Sequence, residues 1–233
     1  MLKLDVNRLC NKKEKNGMMI YQRMGTFSMV ARCPHTGALG VCVSTAIPAV
    51  GSVVPHAEAG VGAIATQGLT NINYGVKGLE LLRMGLHPRK ILETMLKADS
   101  QREKRQVIII DAHGRKAAYT GVETYEWKGQ VMGKDFVAAG NLLVSGKVLE
   151  DMIEAFENCN GRLSERLMLA LEAGDRAGGD RRGRVSAALL VVGEEGLPES
   201  RPTINLRVDL HKDPVRELRR IYEAYMEWIE IWR

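Results

Sequence analysis

The residues that could do chemistry begin with a threonine that follows a glycine at the start of a predicted strand. If the Gly25–Thr26 bond were cleaved, Thr26 would carry a hydroxyl nucleophile and an α-amine base on one residue. A free α-amine titrates at about pH 8, which suits a base at neutral pH. Ser28 lies on the same strand face, where it could support that amine. The alternative is a threonine that merely opens a strand, since threonine favours strands.

Two other polar segments supply candidate substrate ligands. The segment AAGNLL places Asn141 at the end of a strand, where its amide could donate to an oxyanion. The segment AGGDRRGRVSAAL places Asp180, Arg181 and Arg182 just before an apolar strand. Guanidinium groups bind carboxylates in bidentate fashion, and Asp180 could orient either arginine. Each segment also fits an ordinary polar turn.

Other chemistries lack their signatures. The five histidines are far apart in the sequence and none lies in an HExxH frame, so we expect no metal site. The segment GVGAIA (60–65) matches a dinucleotide-binding pattern, but no strand precedes it and no helix start follows it. We interpret it as a buried strand. Neither a phosphate-binding GxxxxGK[ST] loop nor a GxSxG elbow occurs, and we expect no cofactor.

The composition indicates one globular domain. The chain has 233 residues, of which 45% are hydrophobic and 26% charged. Of its five net positive charges, residues 1–23 contribute four, with six Lys or Arg against two Asp or Glu. The rest is nearly neutral, which argues against nucleic acid as a partner. We predict a disordered leader or an over-extended start at 1–23 and a single domain at 24–233.

The leader and the cysteines also bear on location. The leader has charges throughout and no apolar middle, so it does not resemble a secretory signal. No apolar run is long enough to cross a bilayer, and membrane association is not expected. The four cysteines form no CxxC pair, which is typical of free thiols in a reducing compartment. We therefore expect a cytoplasmic protein.

The elements that must position the candidate residues are mostly hairpins. Residues 26–45 alternate in polarity around a Pro34–Gly37 turn and predict two antiparallel strands. Residues 60–68 predict a third strand, and 105–121 a second hairpin that turns at His113–Gly114. Further strand-like stretches follow at 124–130, 135–141, 185–192 and 203–209. Adjacent hairpins favour an α+β fold with mainly antiparallel sheets over a parallel doubly wound fold.

Helical periodicity appears in five places. The predicted helices cover 76–84, 88–98, 146–159, 163–179 and 213–232. Pro88 suits a first helical turn, and Ser164 is the predicted N-cap of the fourth helix, with Gly178 near its end. The last helix carries one apolar stripe. Its aromatic residues leave open a homo-oligomer formed through this helix.

Several segments together resemble a known family. They include TFSMVAR, AVGSVVP, ATQ, AAGN and GGDRRGR, in this order, and the likeness runs from Thr26 to Glu223. The chain resembles the domain of unknown function 1028 family, which is placed in the N-terminal-nucleophile (Ntn) hydrolase superfamily. The resemblance implies a four-layer αββα sandwich of the Ntn-hydrolase type, with Thr26 at the nucleophile position.

The resemblance also implies candidate pocket residues, and the chain differs from the family pattern at several positions. It implies a role in the pocket for Gln67, Arg105, Gln106, Asn141, Asp180, Arg181 and Arg182. In many members the threonine directly follows the initiator methionine, whereas Met24-Gly25 precedes it here. Exposure of the Thr26 amine therefore requires cleavage after Gly25. Family members often have Lys or His where Thr45 stands, and many have Gln where Val185 stands.

Two functions follow from these residues. The first is a hydrolase of small amides or peptides that uses Thr26 as nucleophile and its α-amine as base. Asn141 would assist the oxyanion, and Arg181 and Arg182 would hold a substrate carboxylate. The second is a non-catalytic small-molecule-binding protein on the same fold, in which the amine is never exposed.

Overall fold

The computed structural model describes residues 25–199 and 203–231. The predicted leader at 1–23 and Trp232 lie outside these ranges. Within them the protein is a mixed α/β structure with two sheets whose strand pairs are all antiparallel. Five α-helices pack on the sheets.

The larger sheet has six strands in the order β10-β9-β2-β1-β8-β7. Its strands are β1 (Thr26–Arg32), β2 (Leu39–Thr45), β7 (Gly129–Met132), β8 (Phe136–Asn141), β9 (Ser186–Val192) and β10 (Thr203–Val208). The predicted 26–45 hairpin is confirmed as the antiparallel pair of β1 and β2. Strand β8, which is distant in sequence, covers the other edge of β1.

The smaller sheet has four strands in the order β3-β4-β5-β6. They are β3 (Pro55–Glu58), β4 (Gly62–Gly68), β5 (Arg105–Asp111) and β6 (Lys116–Thr120). The predicted hairpin at 105–121 is confirmed, and Gly114 takes a positive φ of 79° in its turn. Strand β3 was not predicted, because a short run that contains Pro55, His56 and Glu58 lacks an apolar pattern.

The helices are α1 (Asn73–Arg83), α2 (Pro88–Ala98), α3 (Lys147–Asn158), α4 (Leu163–Arg176) and α5 (Pro214–Ile231). The start of α2 at Pro88 is confirmed, and the His87 side chain caps it by accepting a hydrogen bond from the backbone N–H of Arg89. Helix α4 ends just before Gly178, whose φ is +107°.

Three predictions about element ends are wrong. Helix α1 begins three residues before the predicted Val76, and residues 124–128 form no strand, so β7 starts only at Gly129. Arg162, rather than Ser164, occupies the N-cap position of α4, and its side chain makes no capping hydrogen bond. Ser164 instead lies inside the first turn and donates its hydroxyl to buried Glu194, at 2.9 Å. The Ser164 hydroxyl, which the local pattern assigns to a helix cap, thus binds a carboxylate that is distant in sequence.

Three apolar clusters hold these elements together. The first joins the outer face of the six-stranded sheet, including Phe27 and Met29, to α3, α4 and α5. The second fills the space between the two sheets and includes Val30 and Ile108. The third joins the outer face of the four-stranded sheet to α1 and α2. Burial of apolar surface in all three supplies the main driving force for the fold.

The tail helix packs on its own chain. The predicted stripe on α5 is largely buried: Val215, Leu218 and Tyr222 belong to the first cluster, and Ile229 is 1% exposed. Trp228, on the other side, is 37% exposed. The homo-oligomer through this helix stays a prediction.

No helix in the described ranges is both long and apolar enough to span a bilayer. Cys33, Cys42 and Cys159 are free thiols. In the same ranges no three or more His, Cys, Asp or Glu side chains are grouped so that they could hold a metal ion.

Candidate active site around Thr26

Thr26 is the first residue of β1 and faces the space between the sheets. Phe27 and Met29 belong to the cluster on the helical side, whereas Val30 belongs to the inter-sheet cluster. Because side chains alternate along a strand, Thr26 and Ser28 point to the same side as Val30. Thr26 is only 5% exposed. Directly opposite it, in the pairing of β1 with β8, lies Asn141.

The carbonyl oxygen of Gly25 accepts three hydrogen bonds from side chains. The Thr26 hydroxyl donates to it at 2.6 Å, the Thr45 hydroxyl at 2.5 Å, and Nη2 of Arg182 at 3.0 Å. We call Thr45 and Arg182 the carbonyl cradle. A cationic donor and a hydroxyl on one carbonyl oxygen stabilise negative charge on that atom. The carbonyl next to Thr26 is therefore polarised.

A buried ion pair fixes the cradle. Asp180 is 1% exposed, and its carboxylate accepts from Nη2 of Arg182 at 2.6 Å and from Nε at 3.1 Å. The backbone N–H of Arg182 and that of Ala46 donate to the same carboxylate at 2.9 and 3.2 Å. A carboxylate with so many donors compensates its own desolvation and locks the guanidinium in place. The prediction that Asp180 orients an arginine is thus realised with Arg182.

A chain of buried amides runs beside Thr26, and its hydrogen-bond polarity is determined. Nε2 of Gln106 contacts the Gly129 and Gly140 carbonyls, each at 3.0 Å, which can only accept. Its Oε1 must therefore receive, and it does so from Nε2 of Gln67 at 2.7 Å and Nδ2 of Asn141 at 2.8 Å. The orientation of all three amides follows from two backbone carbonyls.

This chain presents acceptors near Thr26. Because Nε2 of Gln67 donates to Gln106, its Oε1 accepts the Ser28 hydroxyl at 2.7 Å, and the Ser28 oxygen keeps lone pairs for a further donor. Oδ1 of Asn141 is buried and has no hydrogen-bond partner. A buried polar atom without a partner costs free energy, on the order of 1–3 kcal/mol. A donor that arrives at this end of β1 would relieve that cost.

Most of the predicted residues are brought together, and two are not. Seven of them form two hydrogen-bonded groups that meet at the β1–β8 pair, where Thr26 lies opposite Asn141. One group holds Thr26, Asp180 and Arg182, and the other holds Ser28, Gln67, Gln106 and Asn141. Arg105 lies on the other face of β5, where it pairs with Asp99 at 2.8 Å. Arg181 donates its backbone N–H to the Leu142 carbonyl at 2.9 Å, and its side chain is exposed. Arg105 therefore anchors the end of α2, and Arg181 lies at the surface above the site.

Sequence reasoning noted Thr45 only as a departure from the family and missed its place in the cradle. The signal was present in the hairpin register. Arg32 pairs with Leu39 and Phe27 with Ser44, so one further step places Thr45 beside Thr26. A hairpin of known turn length fixes such pairs in advance.

A cavity next to β1 does not have Thr26 in its lining. It measures about 550 Å³, lies at the far end of the strand, and is lined by residues that include Cys33, His35 and Arg166. Gly25 itself occupies the position next to the Thr26 hydroxyl. A substrate at Thr26 would take the place that Gly25 fills in the intact chain.

Comparison with known proteins places the chain in a family. No curated protein matches it. The crystal structure of protein SPO2555 from Silicibacter pomeroyi, described as a DUF1028 protein, is 34% identical. It superposes with a TM-score of 0.79 over 88% of this chain and 93% of that one. The DUF1028 sequence profile matches residues 26–218, a stretch that starts at Thr26 and includes both cradle residues, and the chain therefore belongs to this family of unknown function.

Proposed function

We propose that the protein is an Ntn-type hydrolase of small amides or peptides, with Thr26 as its nucleophile. The observation that carries this proposal is the Gly25 carbonyl, whose oxygen is held by Thr45 and Arg182 while the Thr26 hydroxyl lies against it. A nucleophile, an amide carbonyl and two oxyanion donors are the components of acyl transfer.

The first reaction would release the Thr26 amine. Thr26 Oγ attacks the Gly25 carbonyl carbon, the C–N bond to Thr26 breaks, and the proton lost by the hydroxyl passes to the departing nitrogen. The product is an ester between Gly25 and Thr26 Oγ, which water hydrolyses to a carboxylate and a free hydroxyl. Developing charge on the carbonyl oxygen would be stabilised by the cradle. No cofactor takes part in this sequence.

The second reaction repeats this chemistry on a substrate. The freed α-amine of Thr26 accepts the hydroxyl proton and passes it to the leaving amine, and water clears the ester. The unpartnered Oδ1 of Asn141 suits the new amine as an acceptor, because it lies opposite Thr26. Nδ2 of Asn141 already gives one hydrogen to Gln106, so oxyanion assistance would use its second hydrogen.

The fold gives this proposal its second support. The three apolar clusters lie between helices and sheet, between sheet and sheet, and between sheet and helices. We assign this order to the four-layer αββα sandwich of the Ntn type. Thr26 faces the central cluster at the end of its strand, beside the amide chain.

We assign different roles to the two arginines of the 178–183 loop. Arg182 is engaged with Asp180 and the Gly25 carbonyl, so we place it at the acyl oxygen. Arg181 is exposed and leaves its guanidinium available for a substrate carboxylate. Charged groups of this kind raise the rate of encounter with anionic substrates.

A non-catalytic binding protein is the second candidate. As long as the Gly25–Thr26 bond is intact, the Thr26 nitrogen is an amide and cannot act as a base. A chain that stays intact in solution would support this alternative.

Intact-mass measurement of the purified full-length chain separates the two functions. We expect wild type to yield a species that starts at Thr26, Thr26→Ser to yield the corresponding species, and Thr26→Ala to stay uncleaved. Thr203→Ala, at the first residue of β10, is the matched control and should be cleaved like wild type. Cleavage of the Thr26→Ala chain at wild-type rate would remove the threonine from the mechanism.

A further inference from the structure

The space around the α-carbon of Gly25 determines which acyl groups the site can hold. A Cβ built on Gly25 would lie 2.7 Å from Cβ of Leu142 and 3.0 Å from Oδ2 of Asp180. A separation of 2.7 Å between two carbon atoms is far inside van der Waals contact. A side chain here fits only if Leu142 or Asp180 moves.

Leu142 is held on both sides by backbone hydrogen bonds. Its N–H donates to the Tyr125 carbonyl at 2.8 Å, and its carbonyl accepts from the N–H of Arg181 at 2.9 Å. Its φ of 53° lies in the left-handed region, where a residue with a side chain persists only if its surroundings enforce it. The clash involves Cβ, which no rotamer change can move. Leu142 therefore cannot withdraw without breaking this backbone segment.

Asp180 is equally fixed. Its carboxylate accepts from both Nε and Nη2 of Arg182 and from two backbone N–H groups. Displacing it would leave a buried charge without its partners, which costs more than a modest steric contact. Leu142 and Asp180 are thus both rigid, and the space between them admits only the hydrogen atoms on a glycine α-carbon.

A substrate would meet the same walls. Its carbonyl carbon must face Thr26 Oγ, and its carbonyl oxygen must reach Thr45 and Arg182, as the Gly25 carbonyl does. These contacts place the substrate α-carbon where the α-carbon of Gly25 lies. We propose that the substrates are glycyl amides and related amides whose acyl α-carbon carries no L side chain. This proposal rests on the hydrolase function proposed above.

Cleavage of the chain itself tests whether the site excludes a side chain at the acyl α-carbon, and it requires no choice of substrate. We expect Gly25→Ala to slow release of the Thr26-starting species by roughly tenfold or more, because the carbonyl is pushed off the cradle. Leu142→Gly removes the nearer wall and relieves the positive φ. The double variant Gly25→Ala, Leu142→Gly should therefore regain part of the lost rate.

A second measurement uses two small amides. The cleaved protein should hydrolyse glycyl p-nitroanilide with a kcat/KM roughly tenfold or more above that for the L-alanyl compound. Equal cleavage of wild-type and Gly25→Ala chains, or equal turnover of the two anilides, would overturn the glycyl preference and leave the hydrolase intact. An uncleaved wild-type chain, or a chain that starts at Thr26 and hydrolyses neither anilide, would count against the hydrolase and the preference together.

Discussion

Asn141 lies directly opposite Thr26 across the β1–β8 pair, and its Oδ1 is buried without a hydrogen-bond partner. The other end of the same carboxamide donates to Gln106, so the amide cannot simply be flipped to satisfy the oxygen. An antiparallel pair brings opposing Cβ atoms to about 5 Å. The unsatisfied acceptor therefore belongs to the residue that lies next to Thr26 across the strand pair.

Replacing the cradle hydroxyl should slow cleavage at Gly25–Thr26. Thr45→Val keeps the shape of the side chain and removes the hydroxyl donor to the Gly25 carbonyl. Loss of one oxyanion donor typically costs about 10²–10³ in rate. Intact mass followed over time measures the effect. Thr45→Ser retains the hydroxyl and should cleave near the wild-type rate; equal rates for the Val and wild-type chains would remove Thr45 from the cradle.

Breaking the amide chain at its centre should destabilise the fold. Gln106→Met removes the side-chain donor to the Gly129 and Gly140 carbonyls and the acceptor for Nδ2 of Asn141. We expect the free energy of unfolding in urea to fall by about 2–5 kcal/mol. Gln130 is a half-buried residue of β7 whose side chain accepts a hydrogen bond from the Thr120 hydroxyl. Gln130→Met loses this bond and should lower the free energy of unfolding by about 1 kcal/mol or less. Similar losses in the two variants would contradict the central place of Gln106.

The packing of α5 on α4 should depend on Arg219 and not on its neighbour Arg220. Arg219 on α5 bonds to Glu165 and Glu172 of α4 at 2.8 Å, and its side chain is 17% exposed. Arg219→Met should lower the free energy of unfolding by about 1–3 kcal/mol, because two carboxylates lose their partner. Arg220 pairs with Glu217 within one exposed helix turn, so Arg220→Met should leave the free energy of unfolding close to that of wild type. Urea unfolding compares them.

Mild acid should destabilise the protein through His56. Burial lowers the pKa of His56, and Gly75 of α1 lies so close to the ring that a Cβ there would overlap it. The unfolded chain therefore binds the proton more readily, and stability falls as the pH drops through the ordinary histidine pKa of about 6.5.

The slope from one such group cannot exceed about 1.4 kcal/mol per pH unit. His56→Gln should flatten the stability profile between about pH 7 and 5. A variant with the same slope as wild type would assign the acid sensitivity to other groups.

Local pattern was sufficient for most elements. The alternation in TFSMVAR, the turn at His113–Gly114 and Pro88 at a helix start each encode their structure within a few residues. Where a distant group intervened, local pattern failed. The Ser164 hydroxyl is bound by Glu194, thirty residues further along the chain, so it does not cap its helix.

Within the site, the sequence alone determined the residue types and the strand face on which Thr26 and Ser28 lie, because alternation is a local property. Alternation also puts the neighbours Arg105 and Gln106 on opposite faces of β5, but it does not tell which of the two faces borders the site. Only the tertiary structure decided that Thr45 and Arg182 meet on the Gly25 carbonyl and that Leu142 and Asp180 close around its α-carbon. These contacts join four separate segments, and their distances depend on how the strands and the 178–183 loop pack, which no local pattern encodes.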